Sequence, residues 1–409
     1  MDSAATHDID GRYAWTRLVV SVLVATIGSV GMWSIVVVLP MVQAEFGVDR
    51  ADASLAYTTT MIGFAIGNVW FGRSVDRAGS IFLPLVAAAA ALFAGFGLAA
   101  TVSSIWLFAL LQGLVGFGAS ATFGPLIADL SHWFARRRGV AVAAAASGNY
   151  FAGAIWPLAM QLTLPGEGWR FTYAAIGIFC LVTMVPLALL LRRPSPHLDL
   201  PAAAPAARPS RTIDLSPRAL QILLSIAGIG CCVAMSMPQV HIVAYCVDLG
   251  YGVARGSEML SLMLVGGIVC RLATGFVADY IGGVKTLLIG SVAQCLALLA
   301  YIPFDGLASL YVVSFVFGLA QGGIVPSYAI IVREYLPARE AGQRVGLVIM
   351  ATIVGMAVGG WMSGWIYDMT GSYAAAFWNG IAWNLLNIAI MAMILVRTAG
   401  PKPARRQAA

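Results

Sequence analysis

The strongest constraint on this chain is a recurring apolar run about as long as a bilayer is thick. Crossing roughly 30 Å of hydrocarbon takes about 20 helical residues. Runs of that length recur twelve times, near 17–40, 54–72, 81–100, 105–129, 139–163, 170–191, 219–244, 256–278, 285–303, 307–332, 343–367 and 373–396. Short turns bearing charge, Gly or Pro separate them. The runs are twice the length of a barrel strand and lack its in/out alternation, so the expected fold is an all-α membrane protein of twelve transmembrane helices. Composition agrees: 60% apolar residues, 10% charged residues and a mean hydropathy of +0.86 over 409 residues leave more apolar surface than one soluble core can enclose.

Charge placement orients the spans. The net charge of +6 gives no basic surface for nucleic acid, because 20 of the 24 Lys/Arg fall in alternate loops and termini once the amino terminus is placed inside. Arg50, Arg170 and Arg255 fall on the other side, and Arg271 lies within a span. Both termini are therefore expected to be cytoplasmic. The start, MDSAATHDIDGRYAW, lacks a basic region followed by an apolar core and a small-residue cleavage site, so the first span is expected to stay. Six cysteines in or beside apolar runs show neither disulfide nor metal-ligand spacing and read as packing residues.

The longest hydrophilic stretch, 192–218, is rich in Pro and Ala and divides the spans six and six. The expected organisation is a cytoplasmic segment 1–16, a six-helix half 17–191, a cytoplasmic linker 192–218, a second half 219–396 and a tail 397–409. The halves echo each other. Gly72, Asp76 and Gly79 recur as Gly275, Asp279 and Gly282, 203 residues on, and Gly177 falls on Gly380 at the same spacing.

Two six-helix halves, each with a G-x-x-x-D-x-x-G loop between its second and third spans, resemble the major facilitator superfamily. That resemblance implies a substrate site near the midplane between the halves, exposed alternately to each side. A narrower resemblance, to the monocarboxylate porter family, comes from 10-DGRYAW-15, from 132-HWFARRRGVAVAAAASG-148 and from Arg271 followed by Gly275. It implies that Arg271 binds the substrate carboxylate.

The chemistry of Arg271 points the same way. A guanidinium keeps its charge, and a cation at the centre of a spanning helix costs about 2.5–3.5 kcal/mol on insertion scales. No acidic residue stands at mid-depth in another run, whereas a substrate carboxylate can accept two parallel hydrogen bonds from the guanidinium. One buried cation matches one anionic group, and the eleventh run, 343-QRVGLVIMATIVGMAVGGW-361, lacks the second cation of oxalate/formate-exchanging relatives. Trp33, Asn149, Tyr150 and Gln321 are the other candidate substrate contacts, with helix–helix hydrogen bonding as their alternative role.

The chain departs from the animal members at two titratable positions: Trp33 stands where they carry a lysine, and Gly267 where they carry an aspartate. His241 remains as a possible proton site, the alternative being an interfacial histidine bonded to backbone. Asp76, Arg77 and Asp279 form the expected cytoplasmic gate, and Tyr280 stands where the second arginine would be.

The expected function is secondary transport of small monocarboxylates, lactate- or pyruvate-like or other 2-hydroxy or aromatic acids, with protons as the coupling ion. The protein is expected to act as a monomer in a bacterial inner membrane. An anion exchanger or uncoupled facilitator is the alternative, and a non-transporting sensor a more distant one. No residues at metal, cofactor or acid–base spacing mark an enzyme.

Overall fold

The computed structural model describes residues 9–134, 138–195, 213–336 and 340–398. The basic residues Arg136 and Arg137, most of the linker and the tail from 399 onward lie outside them. The described chain is helical almost throughout. The first half holds α1 (Arg12–Gly28), α2 (Val30–Phe46), α3 (Arg50–Ala78), α4 (Phe82–Ala99), α5 (Ile105–Ser120), α6 (Gly124–Ser131), α7 (Arg138–Met160) and α8 (Leu164–Leu190). The second holds α9 (Pro217–Asp248), α10 (Gly252–Ile281), α11 (Gly283–Tyr301), α12 (Leu307–Gln321), α13 (Ile324–Tyr335), α14 (Ala341–Thr370) and α15 (Tyr373–Arg397).

Three of the expected runs are broken rods: α1/α2 at Ser29, α5/α6 at residues 121–123, and α12/α13 at Gly322–Gly323. The apolar runs continue through each break, which is why hydropathy does not show them. Ten helical segments among the described residues are long and apolar enough to cross a membrane. The other two expected spans, α3 and α7, are 29 and 23 residues long and carry more hydroxyl, charged and small side chains. The sixth run starts later than its helix, since Gly168 (φ 78) kinks α8 just before Trp169.

The internal echo is visible in space. Gly79 (φ 64) ends α3 and Gly282 (φ 86) ends α10, each in a backbone conformation that disfavours a side chain. Within each half a glycine contact brings two rods together. A β-carbon on Gly116 would lie 2.0 Å from the Thr60 carbonyl oxygen, and one on Gly318 would lie 2.0 Å from that of Met263. Small residues that let helix backbones touch are how such rods associate in lipid.

The first half also contains a wholly buried ion pair. Arg17 Nη2 lies 2.7 Å from Asp129 Oδ2, and both side chains have no exposed surface. The pair is fully bonded: Arg17 also donates to the carbonyls of Leu191 and Arg193 and packs 4.6 Å from the centre of a Trp133 ring, while Ser195 Oγ donates to Asp129 Oδ1. Arg17 thereby ties α1, α6 and the start of the linker together.

The two halves meet along α3 with α14 and α7 with α10. They are joined most firmly at the end bearing Arg50, whose guanidinium donates to Asp248 Oδ2 (2.7 Å), Asp248 Oδ1 (3.1 Å), Tyr373 Oη (2.5 Å) and, within its own half, Gln43 Oε1 (2.8 Å). Asp368 caps the first turn of α3 across the same seam, accepting from the amides of Arg50 (2.9 Å) and Ala51 (2.6 Å). Here a carboxylate meets unpaired N–H groups at a positive helix end. Gln161 donates to Ser257 and Thr58 to the Ala357 carbonyl nearby. At the opposite end, where Asp76 lies, no hydrogen bond joins the halves among the described residues.

Candidate functional site

A cavity of about 130 Å³ lies in the seam and takes its walls from both halves. α2 and α3 supply Met32, Trp33, Tyr57, Met61 and Phe64; α9 and α14 supply Met235, Gln239, Ile353 and Met356. Among the described lining residues Arg271 alone carries a fixed charge.

Arg271 is held by groups that orient it without cancelling its charge. Nη1 donates to the Ala146 carbonyl (3.1 Å), across the seam on α7, and Nε reaches the Gly322 carbonyl (3.4 Å), at the break between α12 and α13. Its guanidinium lies 4.1 Å from the centre of the Tyr150 ring, a cation–π arrangement. No carboxylate pairs with it among the described residues.

Tyr150 can sit there because residue 267 has no side chain. A β-carbon on Gly267 would lie 2.4 Å from Tyr150 Cε1, inside any permitted contact. At the position where the resemblance leads one to expect an acid, this chain makes room for an aromatic ring.

The remaining expected site residues are distributed unevenly. Asn149 lines the cavity; its carbonyl (3.0 Å) and Oδ1 (3.1 Å) both accept from Trp33 Nε1. Trp33 therefore presents ring surface, and its N–H is already taken. The Asn149 amide nitrogen has no partner among the described residues and remains a donor at the wall. Gln321 is fully buried behind the wall, where Oε1 accepts from Gln239 Nε2 (2.7 Å). Gln239 is the residue that reaches the cavity.

His241 is fully buried away from the cavity, with Nδ1 3.2 Å from Tyr373 Oη and Nε2 2.7 Å from the Gly360 carbonyl oxygen. It shares Tyr373 with Arg50 and so belongs to the joined end of the seam. Asp76, Arg77 and Asp279 are exposed at the ends of α3 and α10 and make no ion pair among the described residues.

A central cavity between two repeated helical halves is the geometry of a carrier, and the family model for the Major Facilitator Superfamily matches residues 21–304 and 222–409. The chain belongs to the major facilitator superfamily. It is accordingly a multi-pass membrane transporter and not an enzyme. Among superfamily relatives, monocarboxylate transporter 13 of Rattus norvegicus is 26% identical over 328 residues, covering 80% of this chain and 74% of the relative. Monocarboxylate transporter 11 of Mus musculus is 26% identical over 391 residues, 90% of this chain and 84% of that one. The MFS transporter asaE of Aspergillus flavus is 26% identical over 298 residues, covering 71% of this chain but only 65% of the fungal protein. In backbone, a bacterial homolog of the human lysosomal transporter Spinster, inward-facing and occupied, superposes with a TM-score of 0.75 at 14% identity over 95% of this chain and 99% of that one. That likeness concerns the fold alone.

Proposed function

We propose that this chain is a secondary active transporter of monocarboxylates that works by alternating access. It would span the plasma membrane twelve times with both termini in the cytoplasm and act as a monomer. The observation that carries this reading is Arg271, a fixed cation with no carboxylate against it among the described residues, on the wall of the cavity between the halves. The likeness to monocarboxylate transporters of rat and mouse supports the same substrate class. With the halves joined at the Arg50 end and, among the described residues, no hydrogen bond joining them at the Asp76 end, the proposed state is a carrier open toward the cytoplasm. Asp76, Arg77 and Asp279 would come together when that end closes.

Proton coupling is part of the proposal and would run through the joined end, where His241, Asp248 and Asp368 lie within one hydrogen-bonded cluster. Exchange of one anion for another is the second reading. It is favoured by the absence of carboxylate, His or Lys among the described cavity-lining residues.

Uptake of labelled lactate, pyruvate and other monocarboxylates into proteoliposomes, with and without an inward proton gradient, tests both. Gradient-driven accumulation that is lost in Arg271→Ala supports coupled transport. Equilibration or counter-transport alone selects exchange. Unchanged transport by a folded Arg271→Ala protein removes the monocarboxylate reading.

A further inference from the structure

The shape and lining of the cavity say more about the substrate than its charge does. The volume, about 130 Å³, is close to the roughly 150 Å³ of an engineered protein cavity that stays dry and binds benzene. Four methionines, Met32, Met61, Met235 and Met356, line it together with Phe64 and Phe123, whose ring centroids are 5.9 Å apart at 45°. Thioethers pack adaptably and favour contact with aromatic rings, and tilted aromatic pairs present edges and faces to a third ring.

The polar groups of the lining are few, and several are already engaged. Thr352 Oγ1 donates to the Ile349 carbonyl at 2.7 Å, the Trp33 N–H is held by Asn149, and Gln239 Nε2 is held by Gln321. Arg271, the Asn149 amide and the hydroxyls of Tyr57 and Tyr150 remain to fix a carboxylate. A lactate ion bound there would leave most of the apolar wall facing water, and a dicarboxylate would bring a second charge with no fixed cation to meet it.

We propose that the cavity selects an aromatic monocarboxylate, one carboxylate on an apolar body about the size of a single ring, over lactate and pyruvate. This rests on the monocarboxylate reading above and narrows it. The carboxylate lies against Arg271, and the ring lies among the methionines and Phe64.

The test is equilibrium binding of benzoate, phenylacetate and lactate to the purified full-length protein in nanodiscs, by calorimetry at constant ionic strength. Phenylacetate or benzoate is expected to bind at least about tenfold more tightly than lactate, the difference being the apolar area of the ring. Met61→Asn and Met356→Asn are expected to weaken binding of the aromatic acid more than that of lactate and so to narrow the wild-type ratio, and an unchanged ratio in folded variants counts against the aromatic preference. The wild-type ratio alone decides the matter should either variant fail to fold. If lactate binds as tightly as phenylacetate, and Arg271→Ala abolishes both, the aromatic preference is wrong while the monocarboxylate reading stands. If no acid binds, or Arg271→Ala, shown folded by size-exclusion chromatography, binds them all unchanged, the monocarboxylate reading fails and the preference with it.

Discussion

Tyr150 and Gly267 face each other across the seam between the halves, and the ring of one fills the space that a side chain on the other would need. An acid at 267 would both displace that ring and place a negative charge one turn of helix from Arg271. Gly267→Asp is therefore expected to weaken binding of a substrate anion by about ten- to a hundredfold, equivalent to roughly 1.4–2.8 kcal/mol. Gly267→Asn, of similar size without the charge, is expected to lose less. Calorimetric titration of the two variants separates crowding from charge, and equal losses would rule out the electrostatic account.

Arg50 and Asp248 make the only ion pair between the halves among the described residues, with side-chain exposures of 8% and 27%. Removing the arginine strands Asp248 and takes hydrogen bonds from Gln43 and Tyr373. Arg50→Ala is expected to shift the population toward the state closed at the Asp76 end, by a factor of ten for each roughly 1.4 kcal/mol lost. Spin labels at Arg77 and Tyr280, both exposed on opposite halves, should report a shorter distance in the variant. An unchanged distance distribution would mean that the pair does not latch the seam.

The pair Arg17–Asp129 has a different signature, since it lies within one half and is wholly buried. Breaking one side leaves an uncompensated buried charge, so Asp129→Leu is expected to cost about 3–5 kcal/mol. The double variant Arg17→Met/Asp129→Leu should recover most of that loss. Thermal unfolding in detergent checks both, and a double variant no better than the single one would show that the hydrogen bonds to Leu191, Arg193 and Ser195 matter more than the charge balance.

Gly116 and Gly318 occupy equivalent contacts in the two halves. Gly116→Ala and Gly318→Ala should each destabilise the protein, by similar amounts, because the added methyl group meets a backbone oxygen that cannot move alone. Gly72→Ala is the control: beyond the backbone of its own helix and its chain neighbours nothing lies within 4 Å of the added carbon, and a helical Gly→Ala change there should be stabilising by about 0.4–1 kcal/mol. Melting temperatures of the three variants decide it, and a neutral Gly318→Ala would show that the second half is less closely packed than the first.

Much of this architecture is legible in the sequence for a simple reason: lipid demands long apolar helices, and a charge inside one stands out. Arg271 is found that way. Arg17 is missed by the same logic, because it sits at the start of a run and its partner is 112 residues distant, beyond any local pattern. The cavity wall is assembled from several helices, so Met32, Met61 and Gln239 carry no mark of their place in it in their own neighbourhoods. Trp33 is legible as a wall residue, but the fate of its N–H depends on Asn149, on another helix. The glycines at 322 and 323 signal the break in the tenth run, and Gly124–Pro125, directly after 121–123, signals the one in the fourth.

Arg271 also bears on how the empty carrier returns. Reversing the seam with nothing bound would enclose a guanidinium without a counter-charge in a low-dielectric space, whereas on the proposed function a bound carboxylate would travel with it as a neutral pair. The unloaded protein should therefore reset slowly and the loaded one quickly. Turnover would then be set by how soon an anion arrives at the emptied site, so that flux in one direction quickens when acid is plentiful on the other side.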